Sequence, residues 1–286
     1  MTQLVWDRAG AGAPLLLLHG IGSTHDDFIA VRAALESEYE VLAVDLPGHG
    51  GSPPMSRRPT VSAIADILEA DLDMLGFSRV HILGNSLGGR LALELARRDR
   101  ALSVVAIAPS GLNIIPERIY QGTALSMTRL MLRTFRPVIA PLARFRLTRA
   151  GMLAGLRARP WRASEREVLA MRDGLGDSEG FWSMLFWSTL VDIPRGLRNV
   201  RCPVILAQGN ADTVALGQTP RYLLLVPGAT FKPLWFAGHA PMSDVPAAIV
   251  RLVEEATRRA GPPSTQPPST QPPSTQASPL GPSAPG

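Results

Sequence analysis

Between Pro14 and Ala108 short apolar runs alternate with segments of helical period, and this alternation constrains the fold more than any other feature of the chain. "PLLLLHG" (14–20), "EVLAVDL" (40–46), "RVHILGNS" (79–86) and "SVVAIAP" (103–109) read as strands. "DDFIAVRAALES" (26–37), "TVSAIADILEADLDML" (60–75) and "LGGRLALELARR" (87–98) read as the helices between them, with Thr60 placed to cap the second. Strands that are apolar almost throughout, rather than every second residue, are buried on both faces. Joined by helices, they form right-handed crossovers into a parallel sheet. The expected class is therefore α/β, a doubly wound and mostly parallel sheet.

The alternation stops near Ser110 and resumes near Val200 with "CPVILAQG", "TFKPLWFAG" and the helix "PAAIVRLVEEATRRA". The intervening stretch has helical period but no clear strand, so residues 111–199 read as a helical lid inserted into a core made of 1–110 and 200–260. It also concentrates charge: residues 111–201 hold 15 arginines against 7 acidic residues, in a chain with 29 basic and 24 acidic residues and Lys232 as its only lysine. Such clustering suits steering of anionic substrates or a negatively charged partner surface. Its five methionines (Met127, Met131, Met152, Met171, Met184) and three tryptophans (Trp161, Trp182, Trp187) suit an adaptable apolar pocket. After Ala260 the composition changes to three "PPSTQ" repeats and "ASPLGPSAPG", uncharged and nearly without large apolar residues. Residues 261–286 are expected to be a disordered tail.

Several classes are excluded at this level. No apolar run approaches membrane-spanning length, and Met1–Gly10 does not read as a secretory signal. With one cysteine, Cys202, no internal disulfide can form, so a cytoplasmic setting is the default expectation. Zinc-ligand spacing, RNP-type aromatics and a long basic tail are absent, which argues against nucleic acid as partner. No metal cluster or dinucleotide-binding glycine pattern implies a cofactor.

The chemistry centres on Gly84-Asn85-Ser86-Leu87-Gly88, a serine between small residues where a strand turns into a helix. That context holds a hydroxyl out at the carboxyl end of the sheet, above a helix N-terminus that favours developing negative charge. A serine needs an adjacent base. Of five histidines, His19 suits backbone shaping, His25 begins a surface helix, His49 lies in a glycine loop and His81 is inside a strand. His239, in "FAGHAPMSDVP", follows the last strand on a loop at the right end of the sheet. Asp212, just past the preceding strand in "AQGNADTV", is the expected acid. Asp45 fits ordering of the "LPGHG" loop, and Asp244 fits capping of the final helix. Backbone amides of Leu87 and Ile21, with Gly22 as fallback, are the expected oxyanion donors. His239 should lie within hydrogen-bond reach of Ser86.

"LLLLHGIGS", "VDLPGHGGS", "GNSLGG", "GNAD" and "GHAP" occur in an order that resembles the α/β-hydrolase fold family over about Leu4–Ala260. The resemblance implies an eight-stranded, mostly parallel sheet with a variable helical lid, and the chain order Ser86, Asp212, His239 is the one this fold uses. Ala215 stands where many members have proline. The implied activity is acyl transfer on a small-molecule substrate, a carboxylic ester above all. Carbon–carbon hydrolysis of diketo acids and thioester cleavage use the same triad, and a non-catalytic ligand-binding protein keeps the same fold. A serine at the elbow argues against the dehalogenases and epoxide hydrolases of the family, which need an aspartate there.

Overall fold

The structure, a computed structural model, describes residues 4–261; the repeat tail from Pro262 onward lies outside them. Seven strands form one sheet: β1 (Trp6–Ala9), β2 (Ala13–Leu18), β3 (Tyr39–Val44), β4 (Val80–Asn85), β5 (Ala101–Ile107), β6 (Val204–Gly209) and β7 (Thr230–Leu234). Their order is β1-β3-β2-β4-β5-β6-β7, all parallel except the antiparallel pairing of β1 with β3. The sheet has one strand fewer, among the described residues, than the eight that the resemblance implies.

The pleat explains the unbroken apolar runs. In β2, Leu16 and Leu18 pack toward one face of the sheet and Leu15 and Leu17 toward the other, all four buried. The first face is covered by α2 (Val61–Met74), α3 (Leu87–Arg97) and, past the insertion, α9 (Gln218–Leu225), through Leu68, Leu91 and Tyr222. The opposite face is covered by α1 (Ile29–Glu36) and α10 (Pro246–Ala260), through Leu35 and Val253. Both faces are covered, so the central strands are apolar almost throughout, and the buried exceptions His81 of β4 and Ser103 of β5 contact each other at 2.8 Å. Thr60 caps α2 by accepting from the Ala63 amide.

Between β5 and β6 the chain builds only helices: α4 (Ile115–Thr134), α5 (Arg136–Ala143), α6 (Arg146–Met152), α7 (Glu165–Met171) and α8 (Phe181–Met184). Two stretches, Arg172–Gly176 and Leu185–Val191, are widened i→i+5 turns, a geometry frequent at functional sites. This segment has a small core of its own around Leu132, Ile139, Val168, Phe181 and Leu185, with Ile21 of the sheet domain packed against it. No helix among the described residues is long and apolar enough to cross a membrane.

Candidate active site

Three strand ends converge on one cavity of about 270 Å³ at the carboxyl edge of the sheet. The β4–α3 turn brings Ser86, with φ 55° and ψ −113°, a conformation few side-chain-bearing residues adopt. Its neighbours explain how the turn closes. A Cβ on Gly84 would overlap the Gly88 carbonyl, and one on Gly88 would overlap the Leu18 carbonyl of β2. The backbone is pinned on both sides: the Ser86 amide donates to Ile107 O (2.8 Å), and its carbonyl accepts from Arg90 N (3.1 Å) and Ser110 N (3.2 Å). Strain at Ser86 is thus held by a dense local frame.

The turn after β6 brings Asp212, and the loop after β7 brings His239. Both carboxylate oxygens of Asp212 lie 3.1 Å from His239 Nδ1. Asp212 Oδ1 also accepts from the amides of Val214 (2.8 Å) and Ala215 (3.0 Å), and Oδ2 from Gln208 Nε2 (3.3 Å). At position 215 the alanine amide thus makes a bond to Asp212 that proline, with no N–H, could not make. Burial opposes ionisation of Asp212, but His239 and these amides outweigh it and hold the carboxyl at about 2. Burial likewise opposes the charged imidazole, yet Asp212, with a smaller share from Asp27, raises the His239 pKa. With Nδ1 donating to Asp212, Nε2 is left as the acceptor. Asn85 Nδ2 donates to the His239 carbonyl (3.0 Å), which ties the serine turn to the histidine loop.

Ser86 and His239 line the same cavity, but the Ser86 hydroxyl forms no hydrogen bond with His239. That differs from the expected contact. Such bonds are often long without substrate and tighten when the reacting group binds.

Ile21 and Leu87 amides have no hydrogen-bond partner among the described residues, whereas Gly22 N donates to His49 Nε2 (2.9 Å) and is committed. His49 Nδ1 donates to Pro47 O (3.1 Å). His19 works in parallel: Nε2 accepts from Leu46 N (2.9 Å) and Nδ1 donates to Gly20 O (2.7 Å). Burial, aided by His49, drops the His19 pKa to about 3, and burial also lowers that of His49. The two neutral imidazoles brace the 20–22 loop from beneath.

The other acidic and histidine residues stay out of this contact. Asp45 accepts from His25 N and Nδ1 (2.8 Å each) and Gly51 N (3.0 Å), so it orders its own loop. His81 contacts Ser103 Oγ inside the sheet. Asp244 does not cap the final helix, contrary to expectation: Val245 precedes α10 without a side-chain cap. Instead the buried Asp244 carboxylate accepts from Gly238 N (2.9 Å), Ala158 N (2.9 Å) and Arg159 N (2.8 Å), stitching the histidine loop to the helical segment. The His239 amide itself donates to Leu156 O (2.8 Å). No sequence signal pointed to this seam, because the partners it joins lie more than 80 residues apart.

A charged cluster in the cavity wall also escaped sequence reading. Arg157 donates to Ala240 O (2.7 Å) and Ser243 Oγ (2.6 Å), pairs with Glu167 (3.0 Å) and approaches Asp27 (3.8 Å). Burial, opposed by Arg157 and reinforced by Glu167, pushes the Asp27 carboxyl up to about 6. The rest of the wall is mostly apolar, with Leu125, Met152, Met171 and Leu175 from the helical segment. Of the eight methionines and tryptophans singled out, only Met152 and Met171 line it. Met127, Met131, Trp161 and Trp182 are exposed, Met184 is core, and Trp187 stacks under Arg58. Their apolar surface serves packing or faces outward.

A doubly wound sheet with a serine at a strand–helix turn and an Asp–His pair on two later loops defines a class of enzymes, the α/β hydrolases. A profile of the alpha/beta hydrolase family matches residues 15–252, and the chain belongs to that family. It is 33% identical over 136 residues to the dihydrolipoyllysine-residue acetyltransferase component of the acetoin cleaving system from Pseudomonas putida, covering 46% of this chain and 36% of that protein. The chain thus spans about a third of the length of that relative. It is 29% identical over 205 residues to the epoxide hydrolase EphH of Mycobacterium tuberculosis, covering 67% of this chain and 92% of that one. Among solved structures, a thermophilic esterase from Thermogutta terrifontis superposes with a TM-score of 0.70 at 21% identity, over 90% of this chain and 93% of the other.

Proposed function

We propose that this protein is a serine hydrolase that cleaves a carboxylic ester through an acyl-enzyme on Ser86. The observation that carries the reading is the Asp212–His239 pair, closed at 3.1 Å and opening on the same cavity as a serine held at φ 55°. In the proposed mechanism His239 Nε2 takes the Ser86 proton as Oγ attacks the carbonyl carbon. The Ile21 and Leu87 amides hold the oxyanion, and Asp212 stabilises the imidazolium. The imidazolium returns its proton to the departing alcohol. Water, deprotonated by His239, then attacks the acyl carbon and frees Ser86. The helices of 111–199 act as the lid that excludes bulk water. Epoxide opening, the activity in the name of the similar EphH, is disfavoured, because the epoxide hydrolases of the family need an aspartate where Ser86 stands.

The lining also orders the substrate classes. Of the basic residues in the helical segment, Arg157 is the one at the cavity wall, and it is already paired there with Glu167 and near Asp27. Neutral or donor-bearing acyl groups are therefore favoured over dianionic diketo acids. Labelling with a fluorophosphonate, located by mass on the peptide carrying Ser86, and turnover of a panel of p-nitrophenyl esters test the reading. Labelling lost in Ser86→Ala together with ester turnover is expected. Labelling without turnover of any ester would favour a ligand-binding protein, and no labelling would refute a nucleophilic Ser86.

A further inference from the structure

The helical segment is inside out along one side. On α4 the exposed residues include Ile115, Ile119, Met127, Leu130 and Met131, and Arg133 is the only charged residue among them. The apolar exposure runs on through Phe135, Val138, Leu142 and Phe145 to Leu147, which is 86% exposed. An amphipathic helix of a free-standing domain shows the reverse pattern, and contiguous exposed apolar surface of this extent marks an interface.

Charge says what kind. From Arg118 to Ser164 the chain has ten arginines and not one acidic residue. Exposed Arg133, Arg144 and Arg146 have no acidic partner among the described residues: Arg146 donates to Trp161 O, and Arg144 stacks on Phe145. We propose that α4–α6 form a docking face for the surface of an anionic lipid bilayer, with the apolar side chains entering the interface and the unpaired arginines meeting lipid phosphates. Apolar residues fringed by arginine are the composition of helices that lie in the membrane plane. A second copy of this chain fits less well. The carboxylates nearest this face, Asp173 and Asp177, are already paired with Arg136, so a two-fold contact would set the three unpaired arginines against their own counterparts.

The placement has a consequence for access. Leu125 and Thr128, on the inner side of α4, line the cavity that holds Ser86. A helix of twenty residues, about 30 Å long, would then touch lipid on one side and the cavity on the other. If the proposed esterase reading holds, acyl substrates could pass from the membrane surface to Ser86 around a single helix. The docking itself does not depend on that reading.

Flotation of the full chain with vesicles of phosphatidylcholine alone, or with about 30% phosphatidylglycerol, tests the proposal. Binding is expected to the anionic vesicles only, and weaker at high salt. Arg144→Gln/Arg146→Gln should weaken it by about 25-fold, from about fivefold per arginine. Leu130→Glu/Met131→Glu should remove it while leaving the melting temperature unchanged, since both side chains are exposed. Absence of binding, equal binding to neutral vesicles, or indifference to both double variants would overturn it. So would a dimer in light scattering that Leu130→Glu/Met131→Glu dissociates, because the face would then belong to a second copy.

Discussion

Replacing Asp212 by asparagine removes a charge while keeping the shape, and the structure allows the effect to be divided. The carboxyl sits at about 2 against an ordinary 3.8 despite its burial, because His239 and the Ala215 and Val214 amides favour the anion. That shift corresponds to about 2 kcal/mol, and the part of it that His239 supplies also stabilises the imidazolium that forms during attack. Loss of the charge alone should slow hydrolysis by up to about 30-fold. An asparagine whose amide N–H faces Nδ1 would also move the ring proton to Nε2, toward Ser86, where no base would remain. A wrong tautomer brings the total to about four orders of magnitude in serine proteases. In Asp212→Asn only the smaller contribution of Asp27 still opposes the burial of His239, so the acid limb of kcat/KM should move to lower pH. Because the folded pKa of Asp212 is depressed, its contribution to stability is present above about pH 4 and lost as pH falls toward 2. The variant should therefore be less stable than wild type at pH 7, by about 2 kcal/mol, and equal to it near pH 2. The assay is kcat/KM for a p-nitrophenyl ester across pH, with urea unfolding at both pH values and Asp45→Asn alongside. Retention of more than about a tenth of the activity in Asp212→Asn, or a larger loss in Asp45→Asn at equal stability, would refute the reasoning.

Two further perturbations probe the strained and buried groups. Burial holds the Asp27 carboxyl at about 6, above its unfolded value of 3.8, so the folded state loses stability as pH rises from about 4 through 6; Asp27→Asn should match wild type at pH 4 and melt higher at pH 7.5, by about 1–3 kcal/mol in urea titrations, and a lower melting point at pH 7.5 would mean that the Arg157 contact dominates. Ser86→Gly should abolish ester hydrolysis yet stabilise the fold by about 1 kcal/mol, because glycine relieves the strain at φ 55°; calorimetry showing destabilisation would locate that strain elsewhere.

Much of this molecule follows from local pattern. The apolar runs of β2, β4, β5 and β6 declare a sheet covered on both faces, and Gly84 and Gly88 around Ser86 declare a turn too tight for side chains. Pleat, period and the approach of Gly84 to Gly88 are set by residues that are near in the chain, whereas the approach of Gly88 to Leu18 is made only by the sheet. The choice of Asp212 over Asp45 was already harder, because both end strands, and only the folded path of the β6 and β7 loops puts one of them 3.1 Å from His239. Entirely tertiary are the Asp244 seam to Ala158 and Arg159, the bracing of Gly22 by His49, and the Arg157–Glu167–Asp27 cluster. Each joins groups brought together from separate elements, and burial then decides which of them ionise. The exposure of Ile115, Met127 and Leu130 belongs there too. Periodicity reveals that a helix has two faces, but only packing against the rest of the chain decides which face is left in water.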